Sequence, residues 1–168
     1  MSQYTLETIL STVAKENGKK RILYNFGPVG GWNSTIIGLL FLSLPFLEFA
    51  ALFNPYAFEY LGIAQSIIFF IVFLSMIMIL VIGLIFAFNT NLIRKITPSW
   101  NEYFPNQDLS MVMSSGITPY SDFFTMYKSI LVHAEEKNVH EELQKAFVIM
   151  EKDNEELLKA MNRDKNKI

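Results

Sequence analysis

With 168 residues, no cysteine and a formal net charge of -2, the chain has room for one membrane unit plus one small lobe and excludes disulfides, thiolate zinc sites and cysteine nucleophiles. Residues 1 to 34 set Lys15, Lys19, Lys20 and Arg21 against Glu7 and Glu16, and residues 94 to 168 set ten basic against twelve acidic groups, so long nucleic acid is not an expected partner. A hydrophobic fraction of 51% is high for a soluble protein, and the 15 phenylalanines are densest in two apolar stretches.

Leu6, Ile9, Leu10 and Val13 share one helical face within residues 2 to 16, with Gly18 just beyond, which predicts a short amphipathic helix. It lacks the layout of a cleavable signal peptide and is expected to be retained, lying on lipid headgroups or docked on the soluble lobe. Lys19, Lys20 and Arg21 then lead into Asn25 to Asn33, where Gly27-Pro28 and Gly30-Gly31 end any helix. A phosphate-cradling loop is one reading of those glycines. Neither the dinucleotide fingerprint nor the P-loop pattern is present, so a hinge at the membrane surface is preferred.

Thr35 to Phe53 is the first long apolar stretch, and Ile67 to Phe88 is the second; at 1.5 Å per residue the second just crosses a hydrocarbon layer of ~30 Å. Both are predicted to be transmembrane helices. Trp32, Tyr56, Tyr60, Trp100 and Tyr103 flank them as interfacial aromatics do. The joining segment from Asn54 to Gln65 has no Lys or Arg, whereas Lys19 to Arg21 and Arg94-Lys95 lie at the opposite ends of the spans. The positive-inside rule therefore places both termini in the cytoplasm of a cell with an inner membrane.

Pro45 is expected to kink the first span. Glu48 lies about five residues, or ~7 Å, inside its outer end, and holding its charge there costs of order 3 kcal/mol. No basic residue occurs in either span, so Glu48 is expected to be protonated, hydrogen-bonded to Ser75 or Ser43, or facing water. In the second span Gly83 and Ala87 form a small-xxx-small pair that permits close helix approach in an oligomer, a pattern that also arises by chance.

Residues 96 to 118 contain Pro98, Pro105 and Gly116 and are expected to be mostly irregular, with a helical turn near Asp108 to Met113. Thr118 and Pro119 supply an N-cap and first turn for a helix ending near Lys137, with Phe123, Tyr127, Ile130 and Ala134 on its apolar face. Asn138 and Glu141 resemble a capping box for a last helix to about Arg163. There Leu143, Phe147, Met150, Asn154, Leu157 and Met161 follow an a/d rhythm. Two explanations stand together: an αα-hairpin for the upper half, and oligomer contacts through Asn154, Leu157 and Met161.

His133, Glu136 and His140 would share a face on one continuous helix, but the break expected at Asn138 leaves them as solvated groups rather than metal ligands. No catalytic set and no cofactor motif is recognisable. Ser114, Ser115, Gly116 and Thr118 offer hydroxyls and backbone amides to a small phosphate-bearing ligand; an ordinary interhelical turn is the competing reading.

The expected class is all-α. It divides into an amphipathic helix and juxtamembrane loop (1-34), a transmembrane hairpin (35-89, with spans 35-53 and 67-88) and a cytoplasmic helical domain (90-168). This layout resembles the small membrane effectors of type III CRISPR antiviral signalling. The resemblance implies a tetramer whose cytoplasmic domain binds cyclic tetra-adenylate at a subunit interface, without catalysis, and perturbs the bilayer. A non-catalytic scaffold presenting the last helix to a protein partner is the alternative.

Overall fold

The computed structural model describes residues 3–31, 33–133 and 138–165. Among them the regular structure is entirely helical, and the sole β-type pairing is an isolated bridge between Ala14 and Lys20. Helix α1 spans Leu6–Val13, α2 Asn33–Leu52, α3 Pro55–Tyr103, α4 Leu109–Val112, α5 Phe123–His133, α6 Val139–Asp153 and α7 Glu155–Lys165, with a 3-10 turn at Tyr24–Phe26.

Thr5 caps α1 by accepting the Thr8 N–H, and Ile9, Leu10 and Val13 bury the apolar face foreseen from their spacing. That face docks on α3 and the core, with Tyr4 N–H donating to Ser99 Oγ at 3.1 Å. The chain then doubles back through a tight turn at Gly18, whose φ of +73° suits glycine. A Cβ there would lie 2.7 Å from the Lys128 Cα, so glycine also lets α5 approach. Arg21 Nε donates to the carbonyls of Ser11 and Ala14, closing the C-terminal end of α1.

Helix α2 folds back along α3, with Phe49 of α2 and Phe53 just after it meeting the edge of Phe70 at 6.0 and 5.6 Å. Asn54 caps α3 by accepting the Ala57 N–H at 3.0 Å, and Pro55 occupies its first turn. The segment expected as a joining loop from Asn54 to Gln65 is thus largely helical. It is interrupted at Gly62, which holds φ 72° and ψ 163° and kinks the helix, while Ser66 donates to the Gly62 carbonyl at 3.0 Å.

Beyond Gly62, α3 continues without another break to Tyr103, ~60 Å at 1.5 Å per residue. It is long and apolar enough to cross a membrane, and none of its most apolar stretch is buried inside the chain. The helix also runs through Pro98, correcting the irregular connector expected after Arg94-Lys95. The reason lies in packing: Leu92, Ile96, Ser99 and Trp100 fall on one face and are buried in the helical lobe, and their burial outweighs the lost backbone donor.

Trp100 is 0% exposed and lies at the centre of the core, correcting its expected role as an interfacial aromatic. Its ring contacts Phe104 at 4.6 Å and Phe147 at 6.0 Å, Phe123 stacks on Phe147 at 5.6 Å, and its Nε1 donates to the Gln107 carbonyl at 2.8 Å. Tyr56 and Tyr60 are exposed, whereas Trp32 lies outside the described residues.

Asp108 caps the short α4 through the Ser110 N–H. Helix α5 starts at Phe123 rather than at Pro119: Thr118 donates its hydroxyl to the Met111 carbonyl at 3.2 Å, and residues 118 to 122 form successive turns. Asn138 precedes α6 without a side-chain cap, so the expected capping box is not formed. The expected end of α5 near Lys137, with Ala134, lies outside the described residues.

The single long final helix is divided at Asn154, where φ -116° and ψ 31° end α6. Asn154 Nδ2 donates to the carbonyls of Met150 and Pro119, at 2.9 and 3.2 Å, so its amide ties the helix end to the turn before α5 within the same chain.

Candidate functional site

The polar residues singled out inside the apolar helices do not meet. Ser43 and Ser75 donate to the carbonyls of Leu40 and Ile71, each within its own helix, and Ser75 is exposed. Neither bonds Glu48, which removes one of the three states expected for it. Both Glu48 carboxyl oxygens are buried and have no hydrogen-bond partner among the described residues. Gly83 and Ala87 face outward, and a Cβ on Gly83 would meet nothing within 4 Å, so this pair packs no helix of its own chain.

The histidines are also apart. His133 is exposed in the last turn of α5, and Glu136 lies outside the described residues. His140 is half-buried rather than solvated, with Nε2 3.1 Å from the Tyr103 carbonyl and its ring 5.1 Å from Phe104. No group of three potential metal ligands occurs among the described residues. Leu157 and Met161 are half-buried on α7.

A polar concavity forms where α3 leaves its apolar stretch. A groove of about 720 Å³ takes Lys20, Arg21, Ile22 and Tyr24 from the N-terminal segment, Phe86, Asn89, Thr90 and Ile93 from α3, and Ser110, Met113, Ser114 and Ser115 from α4 and the loop after it. Its parts are fixed by hydrogen bonds between distant segments of the chain. Asn89 holds the N-terminal segment with both ends of its amide, accepting from Tyr24 N–H at 2.9 Å and donating to the Ile22 carbonyl at 2.7 Å.

Lys20 donates to the Met113 carbonyl, reaches Ser115 Oγ at 3.4 Å and stands 6.0 Å over the Phe124 ring. Burial pulls the ammonium below the usual lysine range. Ser114 Oγ accepts the Gly116 N–H at 3.0 Å, which shapes the loop. Of the four residues expected to hold a phosphate, Ser114 and Ser115 line the groove. Gly116 and Thr118 do not, since the Thr118 hydroxyl is committed to Met111.

Lys20, Asn89, Thr90 and Ser110 were not foreseen as part of this site. The polar run Asn89-Thr90-Asn91 directly after the apolar stretch was the available signal; the return of Lys20 to that level depends on the turn at Gly18. The groove holds two cations and several hydroxyls, the donors that an anion needs.

An apolar cleft of about 310 Å³ lies nearby between α2 and α3, with Leu23, Phe41, Pro45, Val81, Ile85 and Phe88 in its walls. Leu23 is extended, at φ -121° and ψ 112°, and turns to this cleft while its neighbours Ile22 and Tyr24 line the polar groove.

Comparison of the chain with protein-family models, with curated proteins and with solved structures yields no match in any of the three.

Proposed function

We propose that this chain is a multi-pass integral membrane effector that works as a homo-oligomer, with its helical lobe sensing a phosphate-bearing ligand and its apolar helices perturbing or opening the bilayer. The observation that carries this reading is the continuity of α3 from Ile63 to Tyr103. One rigid element has its apolar part unburied and its other end locked into the aromatic core by Trp100. A change in the lobe is therefore delivered to the apolar segment without a flexible joint.

In this reading α2 and the apolar part of α3 are the two spans. Many of their large side chains, among them Leu39, Leu42, Phe46, Ile71, Ile79 and Phe86, are exposed in the single chain, as lipid-facing groups must be. The turn at Phe53-Asn54 and Gly62 lies outside, and both termini and the lobe are cytoplasmic, at an inner membrane. Gly83 and Ala87, with Leu157 and Met161 on α7, are the surfaces available for contacts between copies. No catalysis is invoked, and a cyclic oligoadenylate is the soluble ligand to test first.

The test is reconstitution into dye-loaded vesicles. Leakage that appears on adding cyclic tetra-adenylate, with crosslinked oligomers in the same sample, supports the effector reading. An intact barrier under all ligands, or recovery of the chain in the alkaline carbonate supernatant, contradicts it. A second reading, a non-catalytic anchored scaffold, is favoured by Val148 and Ile149, which project from α6 at 65% and 50% exposure. It predicts that charged replacements of this pair abolish capture of a protein partner and leave vesicles sealed.

A further inference from the structure

We infer that the groove around Lys20 is a seat for the headgroup phosphate of an anionic glycerophospholipid, a site that rests on the membrane reading above and is separate from the soluble-ligand sensing proposed there. Three features converge on that occupant. The first is position: Phe86 belongs to the apolar stretch of α3, whereas Asn89 and Thr90, one turn later, are polar, so the groove straddles the level at which hydrocarbon gives way to water.

The second is amphiphilic character. The lining combines the charge and hydroxyls of Lys20, Thr90, Ser114 and Ser115 with an open apolar rim of Phe86 and Ile22, at 74% and 78% exposure. A water-soluble anion would leave that rim wet. A lipid covers it with its glycerol and acyl carbons, and the apolar cleft beyond Leu23 offers a second apolar wall.

The third is charge. Lys20 and Arg21 are the cations of the groove, and Arg21 already spends its Nε on the end of α1. One phosphodiester is matched by this supply; a cyclic oligonucleotide brings several. Lys20 is prepared for the role, because its ammonium is desolvated against Phe124 and held by the Met113 carbonyl, which leaves it able to exchange the long contact to Ser115 for a phosphate oxygen.

The full chain, purified in neutral detergent, is titrated with phosphatidylglycerol, phosphatidylcholine, inorganic phosphate and cyclic tetra-adenylate, reading retained lipid by native mass spectrometry and the shift in melting temperature. Phosphatidylglycerol should bind about tenfold more tightly than phosphatidylcholine. That preference should vanish in Lys20→Met, persist in Lys20→Arg and weaken several-fold in Ser115→Ala, as expected for loss of one charge-assisted hydrogen bond. Helical content by circular dichroism confirms that each variant is folded.

Equal binding of the two lipids, or a preference untouched in Lys20→Met, overturns the proposal. So does displacement of phosphatidylglycerol by inorganic phosphate or cyclic tetra-adenylate, which would mark a soluble-anion site instead. Alkaline carbonate extraction of the cell membrane separates the two failures: a chain that stays in the pellet but shows no lipid preference removes only the headgroup site, and a chain released to the supernatant removes the membrane reading with it.

Discussion

Tyr24 and Asn89 are joined by a 2.9 Å hydrogen bond from the Tyr24 backbone N–H to Asn89 Oδ1, and the same amide donates to the Ile22 carbonyl at 2.7 Å. One side chain thus imitates a strand neighbour and fastens residues 22 to 24 to α3. Asn89→Ala should cost ~1 to 3 kcal/mol, the worth of two hydrogen bonds in a partly buried place. Asn89→Asp should recover part of it, since an acceptor for Tyr24 remains while the donor to Ile22 is gone. Thermal unfolding measures the cost, and faster amide exchange at Tyr24 checks its location.

Replacing Trp100 removes the centre of the aromatic core and the donor to the Gln107 carbonyl. Trp100→Ala should destabilise the lobe by ~3 to 5 kcal/mol, the range for large-to-small changes at a fully buried aromatic site. Trp100→Phe should lose less. Denaturant titration followed by far-ultraviolet circular dichroism separates the two, because the apolar helices keep their signal when the lobe melts.

Gly62 adopts φ 72° and ψ 163°, a conformation that side-chain-bearing residues almost never occupy, and a Cβ there would also lie 3.2 Å from Gln65 Oε1. Gly62→Ala should cost ~1 to 3 kcal/mol and drive the kink toward regular helix. Spin labels at Tyr56 and Leu80 report the result as a longer and narrower distance distribution.

Burial pushes the Tyr24 phenol up from the ordinary 10.0 to about 12. Tyr120 is raised as well, by burial and then by its 2.8 Å hydrogen bond to Glu151, and Tyr127 is raised by burial and the nearby Glu7 charge. Each phenol binds its proton more tightly folded than unfolded. The stability they contribute is complete below pH ~10, the unfolded value, and is lost as pH rises through the folded values. Alkaline unfolding should therefore set in above pH ~10, with a late rise in tyrosinate absorbance that coincides with loss of ellipticity and shrinks in Tyr120→Phe.

The buried, unpartnered carboxyl of Glu48 should be a liability to stability wherever it is not used. Glu48→Leu is expected to raise the melting temperature in detergent, by ~1 to 3 kcal/mol in free energy. Under the effector reading Glu48→Gln alters ligand-dependent dye release while leaving assembly intact, and unchanged release would remove Glu48 from the function.

The sequence made the elements legible wherever an apolar period or a cap acts locally. Leu6, Ile9, Leu10 and Val13 marked α1, the turn at Asp108 marked α4, and Asn54-Pro55 marked a helix boundary. It misled where tertiary burial overrode a local breaker. Pro98 suggested an irregular connector, yet the four-residue spacing of Leu92, Ile96 and Trp100 was the better guide to α3. Asn154 fitted an a position in an unbroken helix, but its amide found the Pro119 carbonyl 35 residues away, a partner no heptad analysis contains. The groove is half visible for a similar reason: the hydroxyls of Ser114 and Ser115 are plain in the sequence, while Lys20 joins them only through a turn whose geometry depends on Gly18 lying against Lys128.

The absence of a break between Ile63 and Tyr103 gives the lobe and the apolar segment a single angular coordinate. Rolling the aromatic core about the helix axis swings the Gly83 and Ala87 face through the same arc, as a crank turns its shaft, and 100° of roll equals one residue of register. Under the effector reading, torque rather than tension along a tether is what that shaft carries.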